Sequence, residues 1–305
     1  MDSSQEAPQL NNTEALLNEA EMPANEAEMP DAKRMGDALA QHAKLTQQDI
    51  ARILELQRDK KILFGEAAKK LGLITEDDLQ KVLSEQFNYA YLQDGSHKIS
   101  PLLIAAHKPF NAEVEQLRSL RSQLSIRWFD QGNKTLAVTS VSGDDDASQL
   151  VANLAIVFSQ LNKKTLLIDA NLRDAKQHQL FNIETKMGLA NILANRQGQY
   201  TLSKQESLPN LTILTAGTAV PNPQELLSQN NLATLLVDLE KIYDVILIDT
   251  SPIHLGLDVL TVVSKAKAAI IVAKKDTTMV ADMQQLSQQL SMTGAKVLGS
   301  VFVDA

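Results

Sequence analysis

The chain has 305 residues, 44% of them hydrophobic and 22% charged, with a formal net charge of −8 and no cysteine. A chain of this length can bury the cores of more than one domain. The acidic balance excludes a general nucleic-acid binder, because no cationic excess is present to displace the counterions of a phosphate backbone. The absence of cysteine excludes disulfides, thiolate metal sites and cysteine nucleophiles.

The apolar runs, such as "VILIDT" and "AAIIVA", have the length of buried strands and are far shorter than a membrane-spanning helix. The acidic amino terminus lacks the basic-then-apolar layout of a secretory signal. We therefore expect a cytoplasmic protein whose membrane attachment would come through a partner.

Residues 1–32 form an acidic segment that is rich in Asn, Glu, Ala and Pro and contains "NEAEMP" twice. Such a segment buries too little apolar area to offset the entropy of ordering it. We expect a disordered tail.

Residues 33–93 contain a repeat. "RMGDALAQHAKLTQQDIARILELQ" (34–57) and "LFGEAAKKLGLITEDDLQKVLSEQ" (63–86) share Gly at the third position and Gln at the end. Within each unit, Thr46 or Thr75 precedes an acidic first turn, a pattern that predicts a helix N-cap. The repeat predicts a small all-α domain of two helix-turn-helix units.

Residues 94–132 are expected to form a connector that contains one helix. In "EVEQLRSLRSQLSIRW" (113–128) apolar residues recur at helical spacing. Glu115, Arg118 and Arg121 lie on another face at a spacing of three. Spacing alone fits a solvated charged face.

Residues 133–305 predict an α/β domain. The continuous apolar runs "TLAVTS", "TLLIDA", "LTILTA", "DVILIDT", "AAIIVA" and "VLGSVFV" alternate for the most part with amphipathic helical stretches. This pattern indicates a largely parallel sheet with helices on both faces. Ligands of such sheets bind at the carboxyl ends of the strands.

The stretch "VTSVSGDDDASQLVANLA" (138–155) has the strand-loop-helix frame of a phosphate-binding loop. A working loop needs glycines that curl backbone N–H groups around phosphate, a lysine, and a hydroxyl for magnesium. Here Asp144 and Asp146 take glycine positions around Asp145, Ala147 takes the lysine position, and Ser148 alone is retained. Three carboxylates without a compensating cation would repel a triphosphate. Aspartates at a helix N-terminus instead favour the helix dipole.

This frame, together with "LLIDANLR" (166–173), "PNPQELL" (221–227) and "ILIDTSP" (246–252), resembles the bacterial tyrosine kinases that regulate capsule and exopolysaccharide synthesis. These kinases belong to the MinD and ParA branch of the P-loop NTPase-like folds. The resemblance implies that Glu115, Arg118 and Arg121 are the Glu-x-x-Arg-x-x-Arg signature of an oligomer interface. It also raises that interpretation above a solvated face.

The same resemblance implies losses of catalytic parts. Asp169 and Asp249 match acidic residues of the family, but Asn171 replaces the second carboxylate after the second strand. Val303 stands where relatives carry an Asn that contacts the nucleobase, and no tyrosine follows Tyr243. We therefore expect a pseudokinase in which Ser148, Asp169 and Asp249 are vestigial, with no required cofactor.

The helical repeat resembles the amino-terminal domain of type II secretion and pilus ATPases, which binds cyclic di-GMP. The resemblance implies Arg34, Gly36, Gln57, Gly65 and Gln86 as candidate ligand residues. Leu63 replaces the Arg that would open the second unit, and Leu cannot make its bidentate bonds or stack on a base. Binding of cyclic di-GMP and a packing module without a ligand both remain open.

The pairing of both domains is similar to EpsG-type regulators of exopolysaccharide chain length. It implies a non-catalytic regulator, recruited to the inner membrane by a polysaccharide co-polymerase, that forms a homo-oligomer or a hetero-oligomer with an active homologue. The alternative is an ATP-dependent tyrosine autokinase that uses Mg-ATP with Ser148, Asp169 and Asp249. A ParA- or MinD-like spatial-organisation ATPase is disfavoured by "PNPQELL" and by the helical domain. The scattered histidines predict no metal site.

Overall fold

The structure is a computed structural model that describes residues 39, 43–75, 78–79, 82, 99–143, 146–184, 187–194, 202–205 and 207–304. The described residues up to 82 belong to one compact unit and those from 99 onward belong to a second. The predicted tail, residues 1–32, lies outside the described residues.

The first unit contains helices α1 (Gln47–Lys60) and α2 (Phe64–Lys70). The predicted N-cap of α1 is confirmed: the Asp49 N–H donates to Thr46 Oγ1 at 3.2 Å, and the Thr46 N–H donates to Asp49 Oδ2 at 3.1 Å. Thr75 and Asp78 repeat this reciprocal pair with distances of 3.1 and 2.9 Å. Both caps satisfy N–H groups that a helix leaves unpaired at its start.

Aliphatic side chains from both repeats form one small core in the first unit. Its buried members are Leu39, Ile53, Ala67, Ala68, Ile74 and Val82. Gly65 is buried at a close approach, because a Cβ built there would lie 2.7 Å from Leu79 Cδ1. Gly65 therefore has a packing role in the unit.

The second unit is built on a seven-stranded sheet with the order β3-β4-β2-β5-β1-β6-β7. Its strands are β1 (Thr135–Ser140), β2 (Thr165–Asp169), β3 (Ser203–Gln205), β4 (Leu208–Leu214), β5 (Val245–Asp249), β6 (Ala268–Lys274) and β7 (Lys296–Val303). All neighbouring pairs are parallel except β3 with β4. The predicted α/β class is confirmed, and each predicted apolar run contains a strand.

Helices cover both faces of this sheet. They are α3 (Ile104–His107), α4 (Ala112–Arg127), α5 (Asp146–Ser159), α6 (Gln177–Leu180), α7 (Leu189–Leu193), α8 (Pro223–Ser228), α9 (Asn230–Leu239), α10 (Asp258–Ala266) and α11 (Val280–Met292). The stretch "PNPQELLSQNNLATLLVDLEKI" (221–242), whose apolar spacing predicts a helix, is divided into α8 and α9, because Gln229 has an extended backbone (φ −61°, ψ 154°). Lys265 Nζ donates to the carbonyl oxygens of Leu227 and Gln229, both at 2.5 Å, at this break.

Helix α4, which was predicted within the connector, packs into the core of the second unit. Val114, Leu117 and Leu124 are buried in the same cluster as residues of α5 and of the sheet. The Trp128 indole N–H donates to the Thr135 carbonyl oxygen at 2.9 Å, which joins the end of α4 to the start of β1. The described residues from Ile99 onward therefore share the apolar core of the sheet.

A helix suited to crossing a bilayer needs a long apolar run. None of the helices in the described part of the chain combines that length with that apolar character.

Candidate functional site

The carboxyl ends of β1, β2 and β5 meet at one edge of the sheet. Asp169 and Asp249 end β2 and β5, lie opposite each other in the strand register, and have no exposure to solvent. Such an edge is the usual ligand site of a parallel α/β sheet. The structure therefore brings together the two acidic residues that were predicted from separate motifs.

Gln177, the first residue of α6, closes the space between these carboxyl groups. Its side-chain Nε2 donates to Asp249 Oδ2 at 2.7 Å and to the Ser148 carbonyl oxygen at 3.0 Å. Its backbone N–H donates to Asp169 Oδ2 at 3.0 Å. Gln177 is completely buried. One neutral residue therefore contacts both carboxyl groups and the start of α5.

Burial disfavours the charged form of both carboxyl groups. It raises the pKa of Asp249 to about 6, against the opposing effect of the hydrogen bonds from Gln177 and Ser148. Burial and the neighbouring charge of Asp249 raise the pKa of Asp169 well above its ordinary value. Asp249 Oδ1 has no hydrogen-bond partner among the described residues, so a proton can reside there. Burial therefore favours the protonated forms of these two carboxyl groups more than would be the case for exposed aspartates.

The loop before α5 is described in part, because Asp144 and Asp145 lie outside the described residues. Asp146 begins α5, and its Oδ2 lies 3.4 Å from Lys274 Nζ. The expectation that no cation accompanies the aspartates is therefore wrong for Asp146. Lys274 ends β6, a strand that pairs with β1, and a sequence pattern gives no sign of this contact.

The space inside the loop is small. A cavity of about 20 Å³ is bounded by Ser140, Gly143, Ala147, Ser148, Asn171, Asp174, Lys176, Thr250, Pro252 and Leu255. A cavity of that volume has room for about one water molecule. The His254 ring lies against the loop, since a Cβ on Gly143 would be 2.6 Å from His254 Cε1. Ala147 and Ser148 are both buried.

Asn171 and Arg173 have structural partners. Asn171 Oδ1 accepts from the Asp174 N–H at 3.0 Å and from Ser251 Oγ at 3.1 Å, which ties the loop after β2 to the loop after β5. The Arg173 guanidinium forms a two-point ion pair with the carboxylate of Asp258, a buried residue at the start of α10. Both contacts hold the loops in place around the carboxyl pair.

The three predicted interface residues lie together along α4. Arg118 forms an ion pair with Glu115, and the Arg118 side chain is only 14% exposed. Arg121 Nη1 donates to the Val157 carbonyl oxygen at 2.6 Å. A fully solvated face is therefore wrong for the two arginines, because both pack against their own chain.

The candidate cyclic di-GMP residues are described only in part. Gln57 is half-buried on α1, and Gly65 is buried against Leu79. Arg34, Gly36 and Gln86 lie outside the described residues. Within the described ranges, no group of three or more His, Asp or Glu residues could hold a metal ion.

Gln177, Lys274 and Asp258 are the site residues that sequence reasoning missed. Gln177 reaches Asp249 across 72 positions of the chain, and Arg173 reaches Asp258 across 85. No local periodicity or spacing signals such contacts, because they depend on how the loops return to one edge of the sheet.

The chain is similar to several known proteins. Residues 133–297 match the family model described as cellulose biosynthesis protein BcsQ. The chain is 32% identical over 203 residues to the putative tyrosine-protein kinase CapB of Staphylococcus aureus. The aligned residues cover 67% of this chain and 89% of that protein. The kinase domain of Escherichia coli tyrosine kinase ETK is 26% identical, with a TM-score of 0.65 over 72% of this chain and 86% of that chain. The chimerical protein CapA2B2 is 27% identical, with a TM-score of 0.62 over 75% and 98%.

The raised pKa of Asp249 predicts a pH-dependent effect of Asp249→Asn. Because its pKa is about 6 in the folded chain and about 3.9 in an unfolded one, its contribution to stability is full below about pH 4 and is lost as the pH rises through about 6. The variant should gain stability relative to wild type between pH 5 and pH 7.5, by on the order of 1 kcal/mol in urea unfolding. The exposed control Asp130→Asn should show no such trend. A wild-type-to-variant difference that is constant across this range would contradict the assignment.

Proposed function

Because the chain belongs to the bacterial tyrosine-protein kinase family, we propose that it is a non-catalytic member, a pseudokinase that regulates exopolysaccharide biosynthesis and export. The observation that carries this proposal is the position of Gln177. Its amide joins Asp249 to the start of α5 at the edge where an active phosphate-binding loop places magnesium and the terminal phosphates.

The phosphate side of the site supports the same proposal. Ala147 supplies no charge where a working loop has lysine, and Lys274 lies close to Asp146. The cavity between the described residues of the loop has room for about one water molecule, whereas Mg-ATP brings phosphate oxygens and a hydrated magnesium ion to such a site. Mg-ATP would have to displace Gln177 and open the loop, and the residues present offer little to offset that cost.

The base chemistry supports it as well. Asn171 cannot act as a carboxylate base, and its Oδ1 already accepts from Asp174 and Ser251. Arg173 is committed to Asp258. These residues hold the loops in fixed positions, which suits a binding scaffold.

The proposed partner is a membrane polysaccharide co-polymerase that recruits the chain to the inner membrane from the cytoplasm. The kinase unit would dock on this partner, and Glu115, Arg118 and Arg121 would support a homo-oligomer or a mixed oligomer with an active homologue. The extensive match to kinases, including the chimerical CapA2B2 structure, favours this assignment. Nucleic acid is not expected as a partner, given the net charge of −8.

We also propose that the helical unit senses cyclic di-GMP through Arg34, Gly36, Gln57, Gly65 and Gln86. The motivating observations are the repeat and the two matching N-caps at Thr46 and Thr75. Calorimetric titration of the full chain with cyclic di-GMP tests this. An absence of saturable heat would leave the helical unit as a packing module.

The second candidate function is an ATP-dependent tyrosine autokinase. It is favoured by one observation: Ser148, Asp169 and Asp249 lie together at the sheet edge, with Ser148 and Gln177 both hydrogen-bonded to Asp249.

Incubation of the full chain with radiolabelled Mg-ATP separates the two candidates. We predict no label on Tyr89, Tyr91, Tyr200 or Tyr243, and a background equal to that of Asp169→Asn, because Ala147 replaces the lysine of the loop and Asn171 cannot act as a carboxylate base. Label that depends on Asp169 would establish the kinase and remove the pseudokinase proposal.

Replacement of both Arg118 and Arg121 by Ala tests the oligomer proposal. We predict a lower assembled mass in light scattering, because the signature arginines are lost from α4. Arg127→Ala, an exposed arginine in the last turn of the same helix, is the matched control and should leave the mass unchanged. The two arginines also pack within their own chain, so a thermal melt of the variant must show a folded protein. An unchanged mass in a folded variant would remove the interface role.

A further inference from the structure

A groove of about 390 Å³ lies between α4, the first turns of α5 and the end of β7. Apolar side chains line it from all three elements: Leu117, Leu120, Leu150, Val301 and Val303. These side chains are buried or half-buried against the core on the α4 and α5 face of the sheet. The groove thus offers an apolar floor that is open to an incoming side chain.

One wall of the groove is the outermost strand of the sheet. β7 pairs with β6 alone among the described strands, so the other side of its backbone carries N–H and C=O groups that no described strand pairs. A register irregularity opposite Ala269 and Ile270 interrupts the first half of β7, and Gly299 there has φ +150°. The second half, from Ser300 to Val303, pairs regularly with β6. That half is the part that lines the groove.

Exposed apolar surface continues from the groove onto this edge. Phe302 is 63% exposed and contributes to the groove lining. A regular strand edge that carries an exposed aromatic residue is a template for the addition of another strand.

The rim of the groove is acidic. Glu113, in the first turn of α4, and Asp304, after β7, are both exposed lining residues. Asp146 adds a third carboxylate, which Lys274 partly offsets. An occupant with an apolar side chain and an adjacent cation would match both the floor and the rim.

We infer that the groove binds an extended peptide segment of a partner protein, which adds alongside the second half of β7 as a further strand. An aliphatic or aromatic side chain enters the apolar floor, and a Lys or Arg two residues further along, on the same face of the added strand, lies near Glu113 and Asp304. This inference rests on the proposed function, because it assigns a docking surface to a chain that acts through partners.

A nucleobase is the competing occupant, since the resemblance to the kinases implies a base contact at the position of Val303. The groove offers a base little hydrogen bonding, because the Asn153 side-chain amide already bonds within the chain. Its Oδ1 accepts from the Ala105 N–H, and its Nδ2 donates to the carbonyl oxygens of Leu102 and Gln149. The adjoining loop supplies Asp146 and Ala147 where a triphosphate would need a lysine and glycines. The combination of apolar floor, open strand edge and acidic rim suits a peptide better.

An oriented library of octapeptides tests the proposal on the full chain. Phe, Leu, Ile or Val occupies one position and Lys or Arg the position two residues further along, so that both side chains lie on one face of the added strand. A matched library carries Glu or Asp in place of Lys and Arg. We expect enrichment of the basic library, and loss of binding when the selected peptide is N-methylated on the backbone atoms that a strand ladder requires. Absence of enrichment over the acidic library would overturn the proposal, as would an N-methylated peptide that binds equally well.

The variant Glu113→Lys tests whether the peptide binds in the groove. It should weaken binding of the selected basic peptide roughly tenfold, because an attraction becomes a repulsion at the rim. Asp282→Lys is the control: Asp282 is also an exposed acidic residue in a helical first turn, and the net change in charge is the same. Equal effects of both variants would show a non-specific attraction and would contradict the groove assignment.

Competition with Mg-ATP distinguishes this proposal from the pseudokinase proposal. If Mg-ATP binds and displaces the peptide, the pseudokinase proposal fails and the groove proposal stands, because a displaced peptide must have bound there. If neither peptide nor Mg-ATP binds, only the groove proposal fails.

Discussion

Two carboxyl groups, those of Asp169 and Asp249, lie side by side in the interior of this protein, and the loops at the carboxyl edge of the sheet are arranged around them. Neither group is exposed to solvent, and burial of a carboxylate without a partner is expensive. In an active phosphate-binding site, a metal ion and a lysine would offset this charge. Here the compensation comes from neutral donors, principally Gln177, and from a raised pKa that allows protonation.

This way of satisfying the carboxyl pair brings several loops together at the edge of the sheet. Gln177 is the first residue of α6, so its contacts with both aspartates place the start of α6 beside them. The same side chain joins the segment after β2 to the start of α5. Asn171 and Arg173 then fix that loop to Ser251 and Asp258. The same hydrogen bonds that hold the edge together also surround the cavity bounded by Ser140, Gly143, Ala147 and Ser148.

The sequence predicted those parts of the molecule that depend on neighbouring residues. Continuous apolar runs identified the long strands because β1, β2, β5 and β6 are buried on both faces, although the edge strand β7 is largely exposed. Thr46 with Asp49 identified a cap because the motif is local. Strand β3 was missed, since "SKQ" is polar and its pairing with β4 is antiparallel. The break between α8 and α9 at Gln229 was missed as well. Lys265, whose Nζ donates to the Gln229 carbonyl oxygen, lies far along the chain.

For the site as well, residues in local motifs were predicted and long-range contacts were not. Asp169, Asp249 and Ser148 were identified from motifs, and their meeting followed from the rule that parallel strands end at one edge. The contacts of Gln177, and of Lys274 with Asp146, could not be predicted, because they join loops that become neighbours only in the folded sheet. The packing of Arg121 on Val157 likewise depends on how α4 crosses α5.

The proposed pseudokinase keeps this fold without binding nucleotide. Calorimetric titration of the purified full chain with Mg-ATP, at protein concentrations that detect a dissociation constant of about 1 mM (about −4 kcal/mol), tests it most directly. We expect no saturable heat, because Gln177 bonds to Asp249 and Ala147 replaces the lysine of a working loop. Saturable binding would contradict the pseudokinase proposal and would return the autokinase to first place.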